Sequence, residues 1–219
     1  RLNVHFVVLF LMFLFGQWTE RHHVALVEKD PVVTDSFSNK ASLREYFLKW
    51  VQDRDTLIQK SNEFPVYFVL SDGGASRSGY WVASVLGKME DTSARVFSKH
   101  LFCLSGASGG SVGNAAFYSL LHDAGGTSGR PLSNNQTFYQ AGKEYLRSDF
   151  LTYTLSRMLG HDFFVQALPF NTRGDRAKAL TEALEDAPAN EVLLKSKLSI
   201  PFSQIAVYQN KVRTDLPVL

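Results

Sequence analysis

A single cysteine among 219 residues, Cys103, excludes an internal disulfide and any cysteine-rich metal site. Its place in an apolar run predicts a buried small residue rather than a reactive thiol. An excess of charge of either sign is also missing, since 23 basic residues stand against 21 acidic ones and leave a net charge of +2. A nucleic-acid partner would call for a concentrated basic patch interleaved with aromatics, so none is expected. The adjacent pair His22-His23 lacks a spaced third ligand, and no metal or cofactor is expected. What the chain has in quantity is apolar: 45% of residues are hydrophobic and 13% aromatic, which excludes a disordered chain and supplies a sizeable core.

Residues 2–19 contain no Asp, Glu, Lys or Arg, and 4–15 (VHFVVLFLMFLF) is apolar apart from His5. Spanning a bilayer takes about 20 such residues, so the segment is borderline. Trp18 suits a membrane-water interface. A signal peptide competes, but Gly16-Gln17-Trp18 makes a poor cleavage site. A buried core helix competes too, yet apolar character on every face favours the membrane. The first residue is arginine rather than methionine, which reads as a chain that continues upstream. The expected organisation is a hydrophobic, candidate transmembrane segment over 1–18, a linker over 19–62 and a main domain over 63–219.

Within the linker, Asp30-Pro31 breaks regular structure, because the residue before proline is pushed out of helical geometry. Residues 42–60 then carry Leu43, Phe47, Leu48, Val51, Leu57 and Ile58 at helical spacing, with Ser42 and Glu45 placed as a capping box. They predict one amphipathic helix connecting the first segment to the main domain.

Two strand, glycine turn, helix units follow in succession. In the first, 65–70 (PVYFVL) reads as a strand buried on both faces, followed by Ser71-Asp72-Gly73-Gly74-Ala75-Ser76-Arg77-Ser78-Gly79 and a helix over 80–90. In the second, the apolar 101–104 leads into Gly106-Ala107-Ser108-Gly109-Gly110 and a small-residue helix. The first turn could cup an anion with successive N–H groups. A nucleotide is a poor guest, since Tyr80 and Trp81 stand where a P-loop needs lysine and Ser or Thr. An oxyanion is a better one. When a serine attacks an ester carbonyl, charge develops on the oxygen, and preorganised N–H donors there are often the largest catalytic contribution. Gly-x-Ser-x-Gly is the pattern of a nucleophile elbow, and parallel strands bring both turns to the carboxyl edge of one sheet.

The motifs Asp72-Gly73-Gly74-Ala75-Ser76-Arg77 and Gly106-Ala107-Ser108-Gly109-Gly110-Ser111, in this order, resemble the patatin-like phospholipase family, in particular its large bacterial, membrane-associated members. The resemblance covers residues 64–121 and extends more weakly to 219. It implies an α/β fold, with a three-layer α/β/α core and a mainly parallel sheet, incomplete at the C-terminal end. It implies a lipid acyl hydrolase without cofactor, acting on a lipid or phospholipid at a membrane. Ser108 would be the nucleophile, in an elbow of Gly106, Gly109 and Gly110. The amides of Gly73, Gly74 and Ala75 would form the oxyanion hole, and Arg77 would orient that loop or meet a lipid phosphate. Ala75 departs from the family's third glycine, which matters only if a positive φ is required there.

The family's base is an aspartate in an Asp-Gly-Gly or Asp-Gly-Ala motif well downstream of the serine, and no such motif occurs here. Asp123-Ala124-Gly125-Gly126 matches superficially but ends the helix that starts at Ser108, ~22 Å away at 1.5 Å per residue. The base is therefore expected outside this chain, with 216–219 an interrupted strand and the polypeptide as it stands catalytically crippled. Two other readings stay open. One is a non-catalytic, membrane-tethered α/β module that binds lipid or a partner. The other is a Ser-Asp-His esterase using Asp149 and His161 in the chain order of α/β-hydrolases.

The remainder predicts a polar loop over 127–136, helices over 137–147, 151–159 and 175–186, and a strand over 205–209. Phe163-Phe164 and Leu168-Pro169-Phe170 are candidates for an acyl pocket, core packing or a membrane-facing loop.

Overall fold

The computed structural model describes residues 3–16, 42–162, 176–186, 193–195, 197–199, 207–208 and 211–219. They form α1 (Val4–Gly16), α2 (Leu43–Gln52), α3 (Asp55–Ile58), β1 (Tyr67–Ser71), α4 (Ala75–Thr92), α5 (Phe97–His100), β2 (Leu101–Gly106), α6 (Gly109–Asp123), α7 (Phe138–Leu146), α8 (Thr152–Arg157), α9 (Arg176–Asp186), β3 (Val207–Tyr208) and β4 (Lys211–Val212). Helix and strand are mixed, and the chain divides into two units, one of residues 1–34 with 149–188 and one of 35–148 with 189–219.

In the first unit, α1 has 13 residues and no charged side chain. At 1.5 Å per residue it is about 20 Å long, against a hydrocarbon core of about 30 Å. Among the described residues no helix is long and apolar enough to cross a membrane. Phe6, Leu9 and Phe10 are nonetheless exposed. The helices expected near 151–159 and 175–186 are α8, which runs into a π turn at Met158–Asp162, and α9. The expected motifs at 20–23, 30–31 and 163–174 lie outside the described residues.

The second unit is built around a parallel pair. β1 and β2 run in parallel register from Phe68 opposite Cys103 to Ser71 opposite Gly106. On the other side of β2, Val218 forms a parallel bridge with Cys103, its N–H donating to Phe102 O and its carbonyl accepting from Leu104 N, both at 2.8 Å. The segment 216–219 thus pairs as a strand would. Of the strand expected at 205–209, the described Val207–Tyr208 forms a small antiparallel hairpin with β4.

Helices α4 and α6 follow β1 and β2, pack against each other, and are joined by α7. Helix α6 is buried on nearly every side from Gly113 to Leu121, with Phe117 fully enclosed. Burying a side chain of that size contributes roughly 1.5–3 kcal/mol. The start of α7 is held by a capping box between Thr137 and Gln140, and its first amides, those of Phe138 and Tyr139, donate to the Asp91 carboxylate at 3.0 and 2.9 Å. A carboxylate suits a helix N-terminus, where N–H groups lack intrahelical partners.

Four expectations are corrected. The single helix over 42–60 is two: the Ser42–Glu45 capping box starts α2 as expected, but the helix ends at Asp53 and a short α3 follows. Helix α2 also does more than connect, since its Tyr46, Phe47 and Trp50 rings all pack on Phe102 of β2. The helix placed at 80–90 begins at Ala75, because the glycine turn itself forms its first turn. Strand β1 is not buried on both faces: Phe68 is 61% and Leu70 81% exposed. It pairs with β2 on one edge only, and no described element covers Leu70. Cys103 is half-buried rather than buried, and that burial pushes its thiol pKa up, away from thiolate chemistry.

Candidate active site

Ser108 stands between the end of β2 and the first residue of α6 with φ 50° and ψ −123°. That backbone region is strained for a residue with a β-carbon, and holding it costs of order 1–3 kcal/mol. Serine before a helix ordinarily adopts an extended backbone and spends its oxygen accepting an amide hydrogen from the first turn. Ser108 does neither. Its hydroxyl makes no cap bond, is exposed and, among the described residues, has no hydrogen-bond partner.

The glycines around it are required by contact. A β-carbon on Gly106 would come 2.8 Å from Ser111 N, and one on Gly110 would come 2.5 Å from Ser71 O. Those separations are below any real carbon contact, so the elbow closes only with hydrogen at these places.

The two turns meet at the same edge of the sheet. Ala107 N donates to Ser71 O at 3.0 Å, extending the β1–β2 ladder into the turns. A β-carbon on Gly73 would lie 3.3 Å from Ser108 Cβ and 4.0 Å from its Oγ, so this residue of the first turn borders the hydroxyl. Gly74 precedes α4, and its carbonyl accepts from Ser78 N at 3.3 Å. The Ser78 hydroxyl closes the same turn by donating to Asp72 O at 2.5 Å. Ala75 has φ 51°, in the left-handed region that favours glycine. The departure at this position therefore falls where a positive φ is in fact adopted, and the alanine carries that strain.

Arg77 is exposed, and its guanidinium bonds to nothing in the turn. Of its two expected roles, orienting the loop has no bond behind it.

Two residues that sequence reasoning passed over complete the arrangement. The Ser71 hydroxyl, at the end of β1, donates to Oδ1 of the buried Asn114 at 3.0 Å, tying the first turn to α6. The Asn114 amide nitrogen is buried without a partner and would lie 2.9 Å from a β-carbon on Gly106. The signal was present: a polar amide amid the small and apolar residues of Val112–Phe117.

The carboxylates read as unsuitable bases are engaged elsewhere. Asp123, at the end of α6, accepts from Ser133 and Lys197. Asp149 accepts from the amides of Leu151 and Thr152 at 3.0 and 2.9 Å. Asp149 and His161 belong to the first unit, whereas Ser108 belongs to the second. The chain matches no family model, no curated protein and no solved structure.

Proposed function

We propose that the chain carries the nucleophile and oxyanion half of a serine lipid acyl hydrolase with a patatin-like, three-layer α/β/α core. The observation that carries the proposal is Ser108 itself: a strained, exposed serine whose hydroxyl is withheld from helix capping and bordered by Gly73 of a second glycine turn. Neither the strain nor the unused hydroxyl contributes to stability.

In this reading Ser108 Oγ attacks the ester carbonyl carbon and its proton passes to a carboxylate base. The carbonyl oxygen takes up negative charge and is held by the amides of Gly73, Gly74 and Ala75, each such donor being worth about 2.7–4 kcal/mol. Collapse expels the alcohol and leaves an acyl-serine, which water hydrolyses. A lipid substrate is favoured by the apolar side chains flanking the oxyanion turn, Leu70 on one side and Trp81, 70% exposed, on the other. Arg77 is available to a lipid phosphate.

One observation favours a second reading, a non-catalytic lipid- or partner-binding module tethered to a membrane. Among the described residues, no carboxylate or imidazole bonds to Ser108. Fatty-acid release from phosphatidylcholine vesicles by the full-length protein separates the two readings. The hydrolase releases fatty acid and loses that activity by about 10³-fold or more in Ser108→Ala; equal release by wild type and variant, or none by either, supports the module. Hydrolysis of a soluble short-chain ester alone would make the protein a simple esterase.

A further inference from the structure

Helix α4 turns Gly79, Ala83, Leu86 and Glu90 into the core. At 3.6 residues per turn, Arg77, Trp81 and Lys88 fall within about 40° of one another on the opposite side of the helix. All three are exposed, Trp81 by 70%. The helix starts at Ala75 in the oxyanion turn, so this outer stripe begins beside the turn whose Gly73 borders Ser108.

The stripe is cationic. From Ser71 to Lys88 the sequence holds one acidic residue, Asp72 in the turn. Lys143 of α7 adds a third cation: its ammonium lies 5.5 Å from the Tyr139 ring centroid and that of Lys88 lies 6.0 Å from it, so two cations gather around one ring. Among the described residues, no ion pair involves Arg77, Lys88 or Lys143. The carboxylates closest to Lys88 and Lys143 in sequence are engaged elsewhere. Glu90 is buried with Arg95 and Ser98, Asp91 accepts from the first amides of α7, and Glu144 accepts from Gln136 Nε2 at 2.8 Å.

We propose that this stripe docks on an anionic bilayer surface, with Arg77, Lys88 and Lys143 facing the lipid phosphates and Trp81 entering the interface between them. Tryptophan favours the boundary between headgroups and acyl chains, and lysine and arginine are drawn to an anionic leaflet. A nucleic acid would draw on the same cations, but three of them in a chain of net charge +2 make a small footprint for one. The use of such a surface rests on the lipid reading of the Ser108 site, which it would bring to its substrate layer. The docking itself requires no chemistry at Ser108. It is also distinct from any lipid contact of α1, which carries no charge and would be indifferent to lipid charge.

Tryptophan fluorescence of the full-length protein tests it, with brominated phosphatidylcholine vesicles that contain or lack phosphatidylglycerol. Of the three tryptophans, Trp50 is fully buried, so in a Trp18→Phe background Trp81 is the ring that lipid bromine can quench. The expected result is quenching on vesicles with phosphatidylglycerol, little without it, and none in Trp18→Phe/Trp81→Phe. Vesicle affinity should weaken about tenfold or more in Lys88→Gln/Lys143→Gln, whose side chains bear no ion pair. No quenching on phosphatidylglycerol vesicles, equal quenching without that lipid, or an unchanged affinity in the lysine variant overturns the proposal. Where quenching is absent and Trp81→Ala abolishes a dimer of the protein, the stripe seats a second copy instead. The same quenching in Ser108→Ala, alongside a wild type that releases no fatty acid, would sink the hydrolase reading and leave the docking surface standing.

Discussion

Gly109 and Ala75 meet backbone to backbone: a β-carbon on Gly109 would stand 1.8 Å from the Ala75 carbonyl oxygen. This contact, more than any side chain, locks the serine turn against the oxyanion turn. Gly109→Ala should therefore force the turns apart and destabilise the fold by about 2–3 kcal/mol or more. Gly73→Ala, whose new carbon would meet Ser108 Cβ at 3.3 Å, should be much milder in stability while crowding the hydroxyl. Urea unfolding midpoints of the two variants give the comparison; equal midpoints would mean that the turns are not in contact.

Ala75→Gly should stabilise the protein. The present φ of 51° costs an alanine roughly 1–2 kcal/mol, while the added freedom of glycine in the unfolded chain returns about 0.4–1 kcal/mol of that. A net gain between about 0 and 1.6 kcal/mol is expected in urea unfolding, and a loss would show that the left-handed turn is not adopted there.

Glu90, fully buried on α4, accepts from Arg95 Nε at 2.8 Å, Ser98 N at 2.8 Å and Ser98 Oγ at 2.7 Å. Arg95 also lies over the Phe138 ring and donates to Arg130 O. Truncating one partner of such a pair strands the other, so Glu90→Ala should cost about 3–5 kcal/mol and Glu90→Gln less. Denaturant melts of the two variants measure this order.

Burial pushes the Asp123 carboxyl up, but bonds from Lys197 and Ser133 outweigh it and hold the pKa below its ordinary value. A carboxylate lowered on folding contributes stability that is fully present above the unfolded value, about 3.9, and is lost as pH falls through the folded one. Asp123→Asn should thus melt below wild type at pH 7, and the gap should narrow as pH drops toward 3. A gap independent of pH would contradict the ion pair.

The two strand–turn–helix units were legible because small residues clustered around Ser108 and after Ser71 leave few other uses for so much glycine. The Ser42–Glu45 cap was legible for the same local reason. What depends on distant partners was not. The run PVYFVL contains nothing to show that one face of β1 would stay uncovered, since coverage is a property of neighbours. Nothing in the helical spacing of 42–60 shows that Arg54 folds back over Trp50 and is buried. Ser71 and Asn114 are 43 residues apart, and only the meeting of β1 with α6 makes them partners.

Whether Ser108 is a nucleophile decides between hydrolase and binding module. Full-length protein treated with a fluorophosphonate probe and digested for mass spectrometry tests this directly. A nucleophilic Ser108 gives the phosphonyl adduct on the peptide that contains it and no labelling in a folded Ser108→Ala variant. Labelling that persists in that variant, or a folded wild type that is not labelled at Ser108, would contradict it.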